Sequence, residues 1–139
     1  MISHAIVSGS LSVGFSTNAT TTKGRIDAKN DVVAFSTSDL KYKENIIEID
    51  NALDKVNKIS GVEFDWIPLT DEEKIIHHGN EGHDIGVIAQ EIEKVLPEVV
   101  TTRDNGSKAV KYDKIVALLI QAIKEQQIEI NKLKNGGTD

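Results

Sequence analysis

The sequence predicts an α+β protein in three parts: a β-rich N-terminal segment over residues 1–37, a small α+β body, and a long C-terminal helix. Before residue 38, apolar residues alternate with polar ones, which is the period of a strand. After residue 38 the spacing lengthens to about 3.6 residues, the period of a helix. From residue 113 this helical pattern continues for about six turns. A chain of 139 residues has room for about one hydrophobic core.

The composition excludes several classes of protein. The sequence contains no cysteine, which excludes a disulfide scaffold and thiolate metal sites. Its formal net charge of −6 argues against non-specific nucleic-acid binding, which needs a basic face. No apolar run approaches about 18 residues and no signal-peptide pattern is present, so we expect no membrane partner. Strand-like residues follow Met1 directly, which indicates a piece of a longer protein.

The first 37 residues should form short strands. Residues 7–15 alternate cleanly, and two further strands are predicted at 25–28 and 32–35, on either side of turn residues 29–31. These strands carry too few large apolar side chains to bury a core within one chain. We therefore expect them to pair with identical copies, for which a trimer is the economical arrangement.

The junction at residue 38 holds the candidate catalytic residues. Ser38 and Lys43 stand five residues apart where a helix is predicted to begin, with Lys43 in its first turn. A serine nucleophile needs a base, and a lysine is a base only when it is uncharged, through burial or a neighbouring cation. A Ser-Asp pair before a helical run is also the ordinary pattern of a helix cap, and Lys43 is then a solvated side chain.

The body should alternate helices and strands. Its first helix is predicted to stop at Gly61 and to bury one apolar stripe, formed by Ile46, Ile49, Leu53 and Val56. The remaining predicted elements are, in order, a strand at 62–66, a strand at 85–89, a helix at 90–96 stopped by Pro97, and a hairpin of strands 99–103 and 108–112.

A polar insert at residues 70–84 contains a candidate metal site. Its potential ligands are His77, His78, Glu81 and His83. Imidazole and carboxylate groups this close together could bind a metal ion. Adjacent histidines point in different directions, however, and the flanking glycines favour a solvated loop. We therefore predict no metal and no cofactor.

The helix over residues 113–135 carries a heptad seam. Its a positions are β-branched, two of its d positions are leucine, and one d position is polar. The seam consists of Val116, Leu119, Ile123, Gln126, Ile130 and Leu133. This pattern favours a coiled coil, and one long amphipathic helix packed on its own body remains an alternative. The choice of a and d residues alone favours a coiled coil of two helices.

The run SDLKYKENI at residues 38–46 resembles the opening of the intramolecular chaperone and auto-processing domain found at the C-termini of phage tailspikes and tail fibres, including endosialidase and L-shaped tail fibres. A related domain occurs in an animal transcription factor. Lys41 stands where the family usually has arginine, and Tyr42 where it usually has leucine. The similarity covers about residues 38–135 and continues in order through GVEFDW, GVIAQE, LPEVV and VKY.

The resemblance implies a self-cleaving serine endopeptidase that acts once, in cis. Ser38 would attack the carbonyl of Thr37, so that the chain is cut between Thr37 and Ser38. Lys43 would act as general base and return the proton to the leaving amine. Asp39 would order the junction by hydrogen bonding.

The resemblance also implies a biological role for each part of the chain. Residues 1–37 would be the C-terminal end of a trimeric β-rich fibre or spike. Residues 38–139 would be the chaperone, which forms a homotrimer through a coiled coil at 113–135, templates the fibre upstream and is then released. Assembly would take place in the host cytoplasm, and the fibre part would remain in the virion tail.

Two alternatives stay open at this point. The same fold could serve as a non-cleaving trimerisation tip of a viral fibre, with the Ser38 and Lys43 pair inert. It could also be the processing domain of a membrane-released transcription factor, as in the animal relative. The phage-like N-terminal segment and the lack of a basic DNA-binding module favour the phage roles.

Overall fold

The computed structural model describes residues 10–13, 24–77 and 79–136. These residues divide into two compact units. The first unit contains the described residues up to Tyr42 together with Asp65–His83, and the second contains Lys43–Phe64 and the described residues from Asp84 onward. The outer parts of the strand predicted at 7–15 lie outside the described residues, as does His78.

The described part of the N-terminal segment, residues 10–13 and 24–37, contains fewer strands than the sequence predicts there. Strands β1 (Leu11–Val13) and β2 (Ile26–Ala28) pair in parallel, which confirms the strand predicted at 25–28. The strand predicted at 32–35 is wrong, because this segment has no regular structure and its Phe35 side chain is 96% exposed. Side-chain alternation indicates strand propensity, but a strand also needs a neighbour for its backbone N–H and C=O groups.

The prediction that an α-helix begins after Ser38 is also wrong, and Lys43 does not lie in the first turn of an α-helix. A 3-10 helix spans Leu40–Tyr42, and the α-helix here, α1, is only Ala52–Val56. Asn45 and Asn51 have φ values of 52° and 48°, and an α-helix cannot pass through left-handed residues. Residues 43–50 are therefore irregular, and their Ile47 side chain is 87% exposed.

The polar insert is more ordered than the predicted loop. Helix α2 spans Asp71–Ile76 and begins with a capping box. The backbone N–H of Glu73 donates to Thr70 Oγ1 at 3.3 Å, and the Thr70 N–H donates to Glu73 Oε2 at 2.8 Å. Together these bonds satisfy two of the backbone donors that every helix N-terminus leaves unpaired.

The remaining elements lie within two residues of their predicted bounds. Strands β3 and β4 form a two-stranded sheet, and β5 and β6 form an antiparallel hairpin in which Val100 is opposite Val110. No helix in the described part of the chain is long and apolar enough to cross a bilayer. The bounds are β3 (Gly61–Asp65), β4 (His83–Val87), α3 (Ala89–Val95), a 3-10 helix (Pro97–Val99), β5 (Val100–Thr102), β6 (Lys108–Val110) and α4 (Tyr112–Gly136).

The core of the second unit lies between α1 and α4. Ala52 on α1 packs against Leu118 and Ala122 on α4, and all three are buried. Two alanines at the contact let the helices approach closely, and truncating a buried leucine such as Leu118 typically costs about 2–5 kcal/mol of stability. Half-buried apolar side chains surround this contact: Ile49, Leu53, Val56, Ile59 and Leu96.

A carboxylate from α4 caps the first turn of α1. The backbone N–H of Ala52 donates to Glu125 Oε1 at 3.0 Å, and that of Leu53 donates to Glu125 Oε2 at 2.8 Å. The residue at the ordinary capping position, Asn51, makes no side-chain capping bond. The N-terminus of α1 is therefore completed by a residue more than 70 positions away in the sequence.

Gly86 makes the close approach of β4 to the start of α4 possible. A Cβ at residue 86 would lie 2.8 Å from Tyr112 Oη and 3.4 Å from Phe64 Cε1. The same Tyr112 hydroxyl oxygen accepts a hydrogen bond from the Val87 N–H at 3.3 Å. Any side chain at residue 86 must therefore displace the tyrosine hydroxyl.

We predict that Gly86→Ala lowers the free energy of unfolding by about 1–3 kcal/mol, because it overpacks the contact with Tyr112. Removing the hydroxyl in the double variant Gly86→Ala/Tyr112→Phe should recover part of this loss. Urea unfolding at a fixed protein concentration measures both effects. Strictly additive losses in the double variant would contradict the clash.

The left-handed backbone at Asn45 gives a second prediction. Asn45→Gly should change stability by less than about 0.5 kcal/mol, because glycine adopts positive φ freely. Asn45→Val should cost about 1–2 kcal/mol, because a β-branched residue clashes in this conformation. Equal unfolding midpoints for the two variants would mean that residue 45 is not held at positive φ.

Candidate functional site

The predicted cleavage point lies in an exposed, irregular segment. Thr37 and Ser38 are exposed, and only Asp39 separates them from the 3-10 helix Leu40–Tyr42. A scissile bond must be reached by its nucleophile in an orientation that a strand or helix ladder would restrict. The described backbone around Thr37 is in neither kind of ladder.

Asp39 begins the 3-10 helix through its own hydrogen bonds. Its Oδ1 accepts from the Lys41 N–H at 3.0 Å, and its carbonyl oxygen accepts from the Tyr42 N–H at 3.1 Å. The Lys41 ammonium lies 3.4 Å from Asp39 Oδ2 and 4.9 Å from the centre of the Tyr42 ring. The Asp39 side chain thus stabilises the turn that follows Ser38.

Lys43 is exposed and is the first residue of the second unit, whereas Ser38 belongs to the first. Their roles as nucleophile and base therefore stay predictions. The base role requires an uncharged amine, which burial or a neighbouring cation favours.

The segment after Lys43 is attached to α4 at two points. Gln121 Nε2 donates to Glu48 Oε2 at 3.4 Å, and the Glu125 carboxylate accepts from the N–H groups of Ala52 and Leu53. Sequence analysis missed Glu125, since its partners lie 72 and 73 residues away. The signal in the sequence is that Glu125 stands one heptad after Leu118 and three residues after Ala122, which are apolar residues outside the predicted seam.

Helix α4 has one face in the body and a second, apolar face that points away from it. In the heptad register of the predicted seam, the buried Leu118 and Ala122 take positions c and g. The a and d residues are all exposed, and the apolar ones range from 39% exposed at Ile130 to 77% at Leu133. Packing on the body therefore accounts for one stripe of α4 and leaves the predicted seam available for other chains.

The insert at 70–84 does not gather a metal site among the described residues, from which His78 is missing. Two of its potential ligands are engaged elsewhere: Glu81 Oε1 lies 2.6 Å from the Lys74 ammonium, and His83 Nδ1 lies 3.1 Å from Asp65 Oδ1. The hydrogen bond and the charge of Lys74 hold the pKa of Glu81 below its usual value, and the hydrogen bond and the charge of Glu81 in turn raise the pKa of Lys74. The carboxylate therefore serves to tie α2 to the end of the insert.

The comparison with known proteins agrees with this organisation. Residues 38–101 match the family model described as chaperone of endosialidase, which is also named as a peptidase family. The match begins at Ser38 itself. It covers the junction and the body as far as residue 101 in β5, and it ends before β6 and the C-terminal helix.

The chain is also similar to long tail fiber protein Gp37 of several phages. It is 35% identical to the protein of Enterobacteria phage K3 over 102 residues, which is 70% of this chain and 8% of that protein. It is 35% identical to the protein of Enterobacteria phage M1 over 109 residues, which is 76% of this chain and 41% of that protein. The protein of Salmonella phage S16 is 34% identical over 102 residues, 70% of this chain and 13% of its own length.

The chain thus spans less than half the length of each of these relatives, from 8% to 41%. The family match and the fibre proteins support a chaperone role in a phage tail fibre. Residues 38–101 are therefore similar to the chaperone of endosialidase family, within a chain that is similar to phage long tail fibre proteins.

Proposed function

We propose that residues 38–139 form an intramolecular chaperone that trimerises through α4, templates the fibre segment upstream and then releases itself by cutting the bond between Thr37 and Ser38. The family match that begins at Ser38 is the observation that carries this proposal. A chaperone domain that starts at the proposed nucleophile is separated from the fibre by a single bond. This role concerns residues 1–139 and does not specify the receptor that the whole fibre binds.

The proposed chemistry uses only groups of this chain and water. Ser38 Oγ attacks the carbonyl carbon of Thr37 while the uncharged amine of Lys43 takes the hydroxyl proton. The tetrahedral intermediate collapses to an ester between Thr37 and Ser38 Oγ, and the proton passes to the leaving α-amine of Ser38. Water then hydrolyses the ester, which leaves a carboxylate at Thr37 and the hydroxyl on Ser38.

The proposal requires assembly before cleavage. In a single chain Lys43 is exposed, and so is Ser38. Neighbouring copies in a trimer can supply the burial that stabilises the uncharged amine. Cleavage would then follow trimerisation, which is the order that a template for a fibre needs.

The energetics explain why a fibre benefits from such a domain. Three chains that interlock must first be brought together in one register, and the cost of closing long loops opposes this. A trimer of α4 helices raises the local concentration of the upstream segments and aligns them. Removing the chaperone afterwards leaves the fibre kinetically trapped, because the nucleus that could reverse assembly is gone. One turnover for each chain is sufficient.

A second candidate is a non-cleaving trimerisation tip that stays in the fibre. The names of the relatives favour it, since they are fibre proteins whose names say nothing of cleavage. This candidate keeps the trimer of α4 and makes the Ser38 and Lys43 pair inert. The phage relatives weigh against the third alternative, a transcription-factor processing domain.

We predict that the incubated wild-type protein breaks into fragments 1–37 and 38–139, observed by intact mass spectrometry and denaturing gel. Ser38→Ala should remain full length, because it lacks the nucleophile. Lys43→Arg should also remain full length, because arginine keeps the charge but does not lose a proton.

Neighbouring residues of the same types provide the matched controls for this experiment. Ser36→Ala and Lys41→Ala should still cleave, because neither residue has a part in the proposed proton transfer. A wild-type trimer that stays intact would contradict autoproteolysis and leave the non-cleaving tip.

We predict that Ile123→Asp converts the trimer to monomers and stops cleavage, because it places a charge at an a position of the seam. The matched control is Ile128→Asp, an exposed isoleucine at position f of the same helix, which should remain trimeric. Sedimentation equilibrium gives the oligomer mass of each variant. A trimer of Ile123→Asp at the same concentration would refute the seam.

A further inference from the structure

We infer that Glu125 is a positioning residue: it ties the segment that follows Lys43 to α4, so that assembly of α4 determines where Lys43 stands. The effect on cleavage rests on the proposed function, whereas the anchor itself can be measured without cleavage. Glu125 does not touch the reacting atoms in this inference, since it acts through the backbone of residues 52 and 53.

The anchor is a bidentate contact at the start of α1. Both oxygens of the Glu125 carboxylate accept backbone hydrogen bonds, at 3.0 Å from Ala52 N and 2.8 Å from Leu53 N. A carboxylate is favoured at this place because the first N–H groups of a helix lack partners within the helix and carry partial positive charge. Asn51 makes no side-chain capping bond and sits at positive φ, so its own side chain does not replace Glu125.

A second contact strengthens the anchor one turn earlier on α4. Gln121 Nε2 donates to Glu48 Oε2 at 3.4 Å, so α4 holds the chain at residue 48 as well as at residues 52 and 53. The five residue-to-residue steps from Lys43 to Glu48 can span at most about 17 Å when fully extended. Lys43 is therefore confined to a region fixed by α4, even though its own segment is irregular.

The anchor lies on the same turn of α4 as the seam. Glu125 takes a c position between the a residue Ile123 and the d residue Gln126, and it faces α1 next to the buried Ala122. A helix is stiff over one turn, so the rotation that buries Ile123 against other copies also sets the direction in which Glu125 holds α1. The helix that forms the proposed trimer thereby also determines the position of Lys43, the proposed base.

Replacing the carboxylate by an amide tests this role with little change in size. In Glu125→Gln the amide oxygen can accept one of the two hydrogen bonds, but its NH₂ group is a donor that faces another donor. The seam residues are unchanged, so the variant should still trimerise. A purely structural role would instead weaken the oligomer or the whole body.

The experiment compares the full-length wild type with three variants. Glu125→Gln disrupts one of the anchor's two hydrogen bonds, and Glu129→Gln makes the same chemical change at an exposed residue one turn further along α4. Tyr112→Phe removes a hydrogen bond to Val87 and controls for a loss of body stability that does not involve the anchor. The readouts are oligomer mass, the rate of fragment formation, and hydrogen exchange of residues 43–53.

We expect Glu125→Gln to remain trimeric, to form fragments at least about tenfold more slowly, and to exchange the amides of residues 52 and 53 at least about tenfold faster. Glu129→Gln should match the wild type in all three, and Tyr112→Phe should keep the protection of residues 43–53. Unchanged exchange at residues 52 and 53 in Glu125→Gln overturns the anchor. Faster exchange with an unchanged cleavage rate overturns its role in positioning Lys43.

Failure of the proposed function has a different signature. In that case the wild type and the Glu129→Gln control also stay intact, while exchange at residues 52 and 53 still reports on the anchor. Protection in the wild type that is lost in Glu125→Gln then supports the anchor without any fragment being formed.

Discussion

The packing of α1 on α4, completed by the Glu125 carboxylate, is the constraint on which the second unit depends. Ala52 and Ala122 bring the two helices close, and Glu125 satisfies the backbone donors that this closeness would otherwise bury unpaired. Because the contact uses only positions c and g, α4 keeps its a and d residues exposed. One helix can therefore hold its own body and still present an apolar seam to other copies.

This division of α4 gives a physical basis for a chaperone that acts through assembly. The α1 helix has five residues, which are too few for a stable isolated helix, so its stability depends on packing against α4. The junction segment before it is irregular and is attached to α4 through Glu48, Ala52 and Leu53. In the account proposed here, trimerisation therefore acts on the cleavage junction through backbone contacts, with no need for a long relay of side chains.

The sequence predicted the elements that have strong local signals. The period of α4, the turn at residues 104–106 and the stop at Pro97 are all confirmed. The prediction of a helix after Ser38 was wrong because an apolar stripe does not reveal left-handed residues such as Asn45. The prediction of a strand at 32–35 was wrong because alternating side chains do not supply the neighbouring strand with which the backbone must pair. The capping box of α2 was readable as Thr70 followed by Glu73. The contact of Glu125 with the backbone of Ala52 and Leu53 could not be predicted from the sequence, since tertiary contacts carry no local signal.

The dependence of wild-type cleavage on protein concentration tests the central claim most directly. Fragment formation is followed by mass spectrometry across the range in which sedimentation shows monomers turning into trimers. The account predicts a rate per chain that rises with the trimer fraction and becomes constant once all chains are trimeric. A rate per chain that is the same in dilute monomers as in trimers would contradict it.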